Sequence, residues 1–320
     1  MMNNIMSTKK WHDYIVEVIT SKKNVLDEAY KDKLPYVEKR EGVPLAAMEN
    51  LNIYVEATAS YAYLFEKDLK KFKQYAYISA KLNILSSISY SHPCPFFFHC
   101  GMWNVMNPMF LMLMSDSPQI KRFLLSNINE ISNPTENFIG PDDLNRHMIF
   151  NTLLMLENTQ VERLKQRSLK VLEHPTPSKS LQKKLDDYRF FLAFAEQDIE
   201  GMKKALEPFF IPKIARAAAK ETLSYFDFYL QPQIVMYSKL ASMHGFDLEI
   251  DHEIAPKDLI VYDPLPEEEY RDIFDFMKKY DLSYPYEYLQ YWIDYYTRKT
   301  NHFPPKNRPK WLETCLKVFK

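Results

Sequence analysis

At 320 residues, with 46% hydrophobic and 26% charged residues, the chain carries enough apolar material for a substantial core and needs no disulfide or metal staple. A formal net charge of −1 argues against a large nonspecific nucleic-acid surface. Only five glycines are present, and neither GxGxxG nor GxxxxGK followed by Ser or Thr occurs, so Rossmann and P-loop nucleotide cradles have no support.

The opening segment, MMNNIMSTKKWHDYIVEVITSKK, lacks the continuous apolar stretch of a signal peptide. Trp11, Tyr14, Ile15, Val18 and Ile19 follow the i, i+3, i+4 spacing of a buried helical stripe. The greasiest run, VMNPMFLMLM, is too short to span a bilayer, which takes about 20 apolar residues. Prolines stand where helices should begin, at Asn107-Pro108, Ser117-Pro118, Gly140-Pro141 and Arg308-Pro309, since proline at the first helical position has a preset φ and loses no hydrogen bond. LNRHMIFNTLLMLEN is apolar on nearly every side and predicts a central helix. Leu181, Leu185, Tyr188 and Leu192 predict another stripe, as do Tyr270, Ile273, Phe274 and Met277, and Tyr288, Leu289, Trp292, Ile293 and Tyr296. LPEEEYRDIFDF places three carboxylates in a first turn, where the helix dipole favours them. The best strand candidate is FDLEID, so at most a minor β element is expected near 246–250.

The resulting expectation is an all-α fold of about a dozen helices, in antiparallel pairs forming a solenoid-like or bundled array. The chain reads as one helical body. If it divides, LEHPTPSKS is the boundary, giving halves 1–175 and 176–320.

SYSHPCPFFFHCGMWN concentrates reactive side chains. His92, Cys94, His99 and Cys100 supply four N/S ligands, but the spacing matches no zinc knuckle, and neighbours such as His99 and Cys100 diverge by about 100° on a helix. A Cys–His nucleophile would also need an orienting third group. The reading is core, with free cysteines packed as small hydrophobes; the third, Cys315, makes an odd count that suits a reducing cytosol. HExxH and GxSxG are absent. His12-Asp13 resembles the dipeptide of helical metal-dependent phosphohydrolases, but no histidine precedes it. No catalytic residue, cofactor or metal is assigned. A metal-dependent helical enzyme using His92, Cys94, His99 or His147 is the least favoured reading.

The charge pattern is more informative. Eleven acids lie in 247–275, opposed only by Lys257 and Arg271, for a local charge of −9; residues 297–320 carry +6. The two stretches could neutralise each other, or the acids could steer a basic protein partner. The candidate partner-binding residues are Asp247, Glu249, Asp251, Glu253, Asp258, Tyr262, Asp263, Glu267, Glu268 and Tyr270, the two tyrosines as aromatic anchors.

In YFDFYLQPQIVMYSKLASMHGFDLEIDHEIAPKDLI, a helix carrying Tyr229, Ile234, Tyr237 and Leu240 stops at His244-Gly245. A short alternating run follows, and then Pro256-Lys257-Asp258-Leu259. This segment resembles the C-terminal part of the immunity protein 49 family, and somewhat the helical immunity proteins of PoNe-type DNase toxins. The resemblance covers about 192–260 and implies a cytosolic, non-enzymatic antidote that binds one cognate protein toxin and blocks its active site or substrate access. No nucleic-acid or membrane partner is expected. The alternative is a helical scaffold or regulator that takes a peptide between helix pairs.

Overall fold

In the computed structural model the chain folds as an all-α protein. The structure describes residues 9–39, 44–90, 106–128, 150–222, 225–226 and 229–283. In chain order the helices are α1 (Lys9–Asn24), α2 (Leu26–Glu38), α3 (Pro44–Tyr61), α4 (Leu69–Tyr90), α5 (Met106–Met114), α6 (Pro118–Ser126) and α7 (Val161–Leu172). There follow α8 (Lys179–Gln182), α9 (Leu185–Ala195), α10 (Ile199–Leu206), α11 (Pro212–Thr222), α12 (Pro232–Met243), α13 (Lys257–Ile260) and α14 (Asp275–Lys278). Two compact units emerge. The first comprises Met1–Val16, Asn104–Met114 and Pro134–Asp263, the second Glu17–Trp103, Ser115–Asn133 and Pro264–Lys320. Residues 172–180 lie inside the first unit.

The first unit is built around α12. Every residue from Pro232 to Ala241 is buried, as expected of a helix apolar on all sides. Gln231 starts it, its side chain accepting the Ile234 N–H at 3.1 Å, with Pro232 in the first helical position. A Schellman turn ends it: Gly245 N–H donates to Ser242 O and Phe246 N–H to Ala241 O, both at 3.0 Å. That turn requires φ +82° at residue 245, which only glycine adopts without strain. Helix α9 lays Phe190 on Tyr237, stacked at 4.9 Å, and Phe191 edge-on to the same ring at 5.2 Å. Each such ring pair is worth about 0.5–1.5 kcal/mol beyond its buried area. The segment 150–154 is helical and buried throughout, as its all-round apolar sequence predicts.

The second unit centres on α4, which packs on α3, itself packed on α2. Helix α3 runs into a π turn, Ala62–Glu66, that ends at Lys67 with φ +57°. Asp68 then caps α4 by accepting the Lys71 N–H at 2.9 Å. Two of α4's lysines are buried and paired: Lys73 Nζ lies 3.1 Å from Asp116 and Lys81 Nζ 2.7 Å from Asp272.

Six expectations change. Tyr14, placed in a buried stripe, is 54% exposed, and Tyr229, placed in one helix with Ile234, precedes α12. Tyr270, Ile273, Phe274 and Met277 do not share a helix. One 3-10 turn, Glu267–Glu269, and the single turn α14 are all that form, and Ile273 is 40% exposed. The cause is tertiary: Gln74 donates to Arg271 O at 2.5 Å and accepts Arg271 N–H at 3.1 Å, so that backbone is satisfied across the unit instead of along a helix. Leu181 is separated from Leu185, Tyr188 and Leu192 by a turn at 183–184, which splits one predicted helix into α8 and α9. FDLEID forms no strand. Glu249 has φ +56°, its N–H is taken by Asp247 Oδ1 at 2.8 Å, and among the described residues no strand pairs with it. Among the described residues the one β pairing is an isolated bridge between His252 and Ala255. The helix predicted to start at Pro108 begins at Met106. His92, Cys94, His99, Cys100, His147, Cys315, Gly140-Pro141, Arg308-Pro309, the 288–296 stripe and the basic 297–320 stretch lie outside the described residues.

Candidate interaction surface

The acidic stretch is divided between the two units, with Asp247 to Asp263 in the first and Glu267 onward in the second. Its two parts are put to different uses.

In the first unit the chain leaves the Gly245 turn and crosses the end of α12 without regular structure. Leu248, Ile254, Ala255, Leu259 and Ile260 point inward and anchor it, while Asp247, Glu249, Asp251, Glu253, Asp258 and Asp263 face solvent and Tyr262 is half-buried. The anchoring is polar as well. Gln231 N–H donates to Ile254 O at 2.8 Å, and the Phe210 ring meets His252 edge-on at 5.1 Å. Asp251 Oδ1 accepts the Lys257 N–H at 3.2 Å, just before α13.

Beneath this segment sits Lys239, almost wholly buried on α12. Its ammonium donates to Leu259 O at 3.0 Å and Val261 O at 3.1 Å, satisfying carbonyls at the end of α13. Glu249 reaches Lys203 of α10 at 2.6 Å, and this contact first, then Glu200, raises the lysine pKa. An exposed pair of this kind contributes little stability.

A cleft of about 170 Å³ opens in this face. Ser242, Gly245, Phe246, Asp247, Leu248, Ile250, Ile260 and Val261 line it together with Lys257. Val261, 40% exposed, forms part of its wall. A larger groove of about 500 Å³ lies between α9 and α10; four of its charged side chains are engaged locally, Arg189 with Asp186, Glu196 with Lys165, and Asp198 with the Gly201 N–H, and Lys204 and Glu207 also line it.

In the second unit the acids are mostly structural. Glu267 binds Arg122 of α6 at 2.7 Å, and that guanidinium holds its carboxyl below the usual glutamate range. Glu269 meets Lys70 at 2.7 Å, and Asp272 takes Lys81 at 2.7 Å and the Tyr77 hydroxyl at 3.2 Å. Tyr270 is buried, so its ring is not an exposed anchor. It packs on Tyr77 at 5.5 Å while its hydroxyl donates to Ser115 O at 2.9 Å and accepts the Leu265 N–H at 3.0 Å. Glu268 faces solvent.

Residues 66–259 match the family described as immunity protein 49, more than half of the chain. The chain belongs to the immunity protein 49 family. The match begins at the end of the π turn, takes in α4 to α12, and stops at the leucine of Pro256-Lys257-Asp258-Leu259. It therefore reaches far upstream of the segment 192–260 that carries the resemblance in the sequence. The first-unit acids Asp247 to Asp258 lie within it, whereas Tyr262, Asp263, Glu267, Glu268 and Tyr270 lie beyond. No curated protein and no solved structure matches the chain. Among the described residues, no helix of this immunity protein 49 member is long and apolar enough to cross a membrane, and no group of three or more His, Cys, Asp or Glu is placed to hold a metal.

Sequence reasoning missed the cleft, Val261 and Lys239. The lysine left a signal: it is the only charge in the otherwise uncharged run QPQIVMYSKLASM, and a charge there must find partners inside.

Proposed function

We propose that this chain is a cytoplasmic antidote that binds one cognate protein toxin and blocks its active site or its access to substrate, with no catalysis of its own. Family membership over 66–259 carries the reading. The first-unit face supports it. Six exposed acids and one lysine occupy 247–263, and the segment that bears them is pinned by buried leucine and isoleucine side chains and by Lys239. A rigid frame limits the entropy lost on docking, and concentrated charge of one sign speeds encounter with a basic surface.

The contact residues in this reading are Asp247, Glu249, Asp251, Glu253, Asp258, Tyr262 and Asp263. Glu268 is the one solvent-facing candidate of the second unit that no internal ion pair engages.

Growth protection is the test. The chain is co-expressed with the product of a toxin gene adjacent to its own, and the two are co-purified. Restored growth and a stoichiometric complex are expected. Continued killing at full antidote expression removes the reading.

A further inference from the structure

The cleft in the first-unit face has a volume, a floor and a charge balance, and together they select one kind of occupant. At about 170 Å³ it is smaller than the roughly 300–1,000 Å³ of a small-molecule site. It holds one long side chain more readily than a metabolite. Its lining joins apolar Phe246, Leu248, Ile250, Ile260 and Val261 to polar Ser242, Asp247 and Lys257. The guest must therefore bring methylene groups. The face around it is anionic: Asp247 lines the cleft, five more exposed acids lie in 247–263, and Lys257, which also lines the cleft, is the one lysine or arginine among them.

Resting on the antidote reading, we infer that this cleft is a socket for an arginine side chain of the protein partner. The aliphatic stem lies along Ile250 and Val261, and the guanidinium reaches the Asp247 carboxylate. Arginine fits better than lysine because its head group is more weakly hydrated and can pair with a carboxylate through two parallel hydrogen bonds. The socket is built in advance. The Schellman turn at Gly245 sets one wall, and Lys239, by holding Leu259 O and Val261 O, sets the other. Asp247 is itself fixed, because Oδ1 accepts the Glu249 N–H.

The probe is N-acetyl-arginine methylamide, titrated to tens of millimolar into the full chain with methyl NMR detection. Saturable shifts are expected at Leu248, Ile250, Ile260 and Val261, with at least tenfold weaker binding of the uncharged citrulline analogue. Two surface substitutions fix the sign. Asp247→Asn keeps the turn acceptor but loses the charge, and it weakens binding severalfold. Lys257→Ala removes the competing cation and strengthens it. Equal shifts from arginine and citrulline, shifts that map away from the cleft, or a weakening by Lys257→Ala overturn the socket. Any of those results leaves the antidote reading untouched, because that reading is decided separately by growth protection with the unaltered chain.

Discussion

Asp187, on α9, is wholly buried. One carboxylate oxygen accepts the Tyr237 hydroxyl at 2.7 Å, and the other has no hydrogen-bond partner. Burial raises its pKa above the ordinary aspartate value; the charge of Lys184 and the Tyr237 hydrogen bond oppose that rise only in part. The sign of the linkage follows. Below the ordinary value the group is protonated whether folded or unfolded, and the fold incurs no penalty. As pH climbs from there through the raised folded value, the unfolded chain ionises first and stability falls. Asp187→Asn keeps an acceptor for Tyr237 and cannot ionise. Relative to that variant, the wild-type denaturant midpoint should fall across that window. Tyr237→Phe strands a buried oxygen and should cost about 1–3 kcal/mol. A wild-type midpoint that does not fall relative to Asp187→Asn would show that Asp187 ionises in the fold as freely as in the unfolded chain.

At the scale of elements, the segment 265–276 shows how helical spacing can mislead. Tyr270, Phe274 and Met277 recur at helical intervals and all three are buried, yet the chain through Tyr270 and Arg271 is not helical. Side chains on one face of α4 dictate this: Lys70, Gln74, Tyr77 and Lys81 hold Glu269, the Arg271 backbone and Asp272. Periodicity reports which side chains are buried, whereas the path between them depends on partners some 200 residues away in sequence. Where the controlling contacts are local, the sequence is legible. The Ser117-Pro118 start, the glycine stop of α12 and the burial of Phe150, Leu153 and Leu154 follow from capping, φ and apolar pattern alone. The cleft was not legible, because it joins residues 242–250 to 257–261 around a turn whose geometry rests on buried Lys239. If α4 fastens the segment as described, Lys81→Met and Asp272→Asn are each destabilising, and the pair together less than additively, with a coupling on the order of 1–3 kcal/mol by denaturant titration. Strict additivity would mean that the 2.7 Å pair contributes nothing to the hold.

Over the whole molecule, eleven acids in one short stretch invite treatment as a single surface, but the two units use them differently. Acids that are already ion-paired and partly buried have spent their interaction on the fold, and reversing their charge sets like charges against each other where opposites stood. Asp272 and Glu269 belong to this group, facing Lys81 and Lys70. Asp251, Glu253 and Asp258 are exposed, and exposed charges act chiefly through the long-range field that a partner meets on approach. Two sets of reversals therefore separate. Glu269→Lys with Asp272→Lys should lower the unfolding midpoint. Asp251→Lys, Glu253→Lys and Asp258→Lys together should lower that midpoint less than the first set does, slow association with the proposed toxin partner about tenfold or more, and flatten its dependence on salt, because screening acts on the charges that were removed. Stopped-flow association at several ionic strengths, beside thermal unfolding of both variants, reads all of these. If the triple reversal leaves the association rate and its salt slope intact, the exposed acids of 247–263 do not form the proposed contact surface.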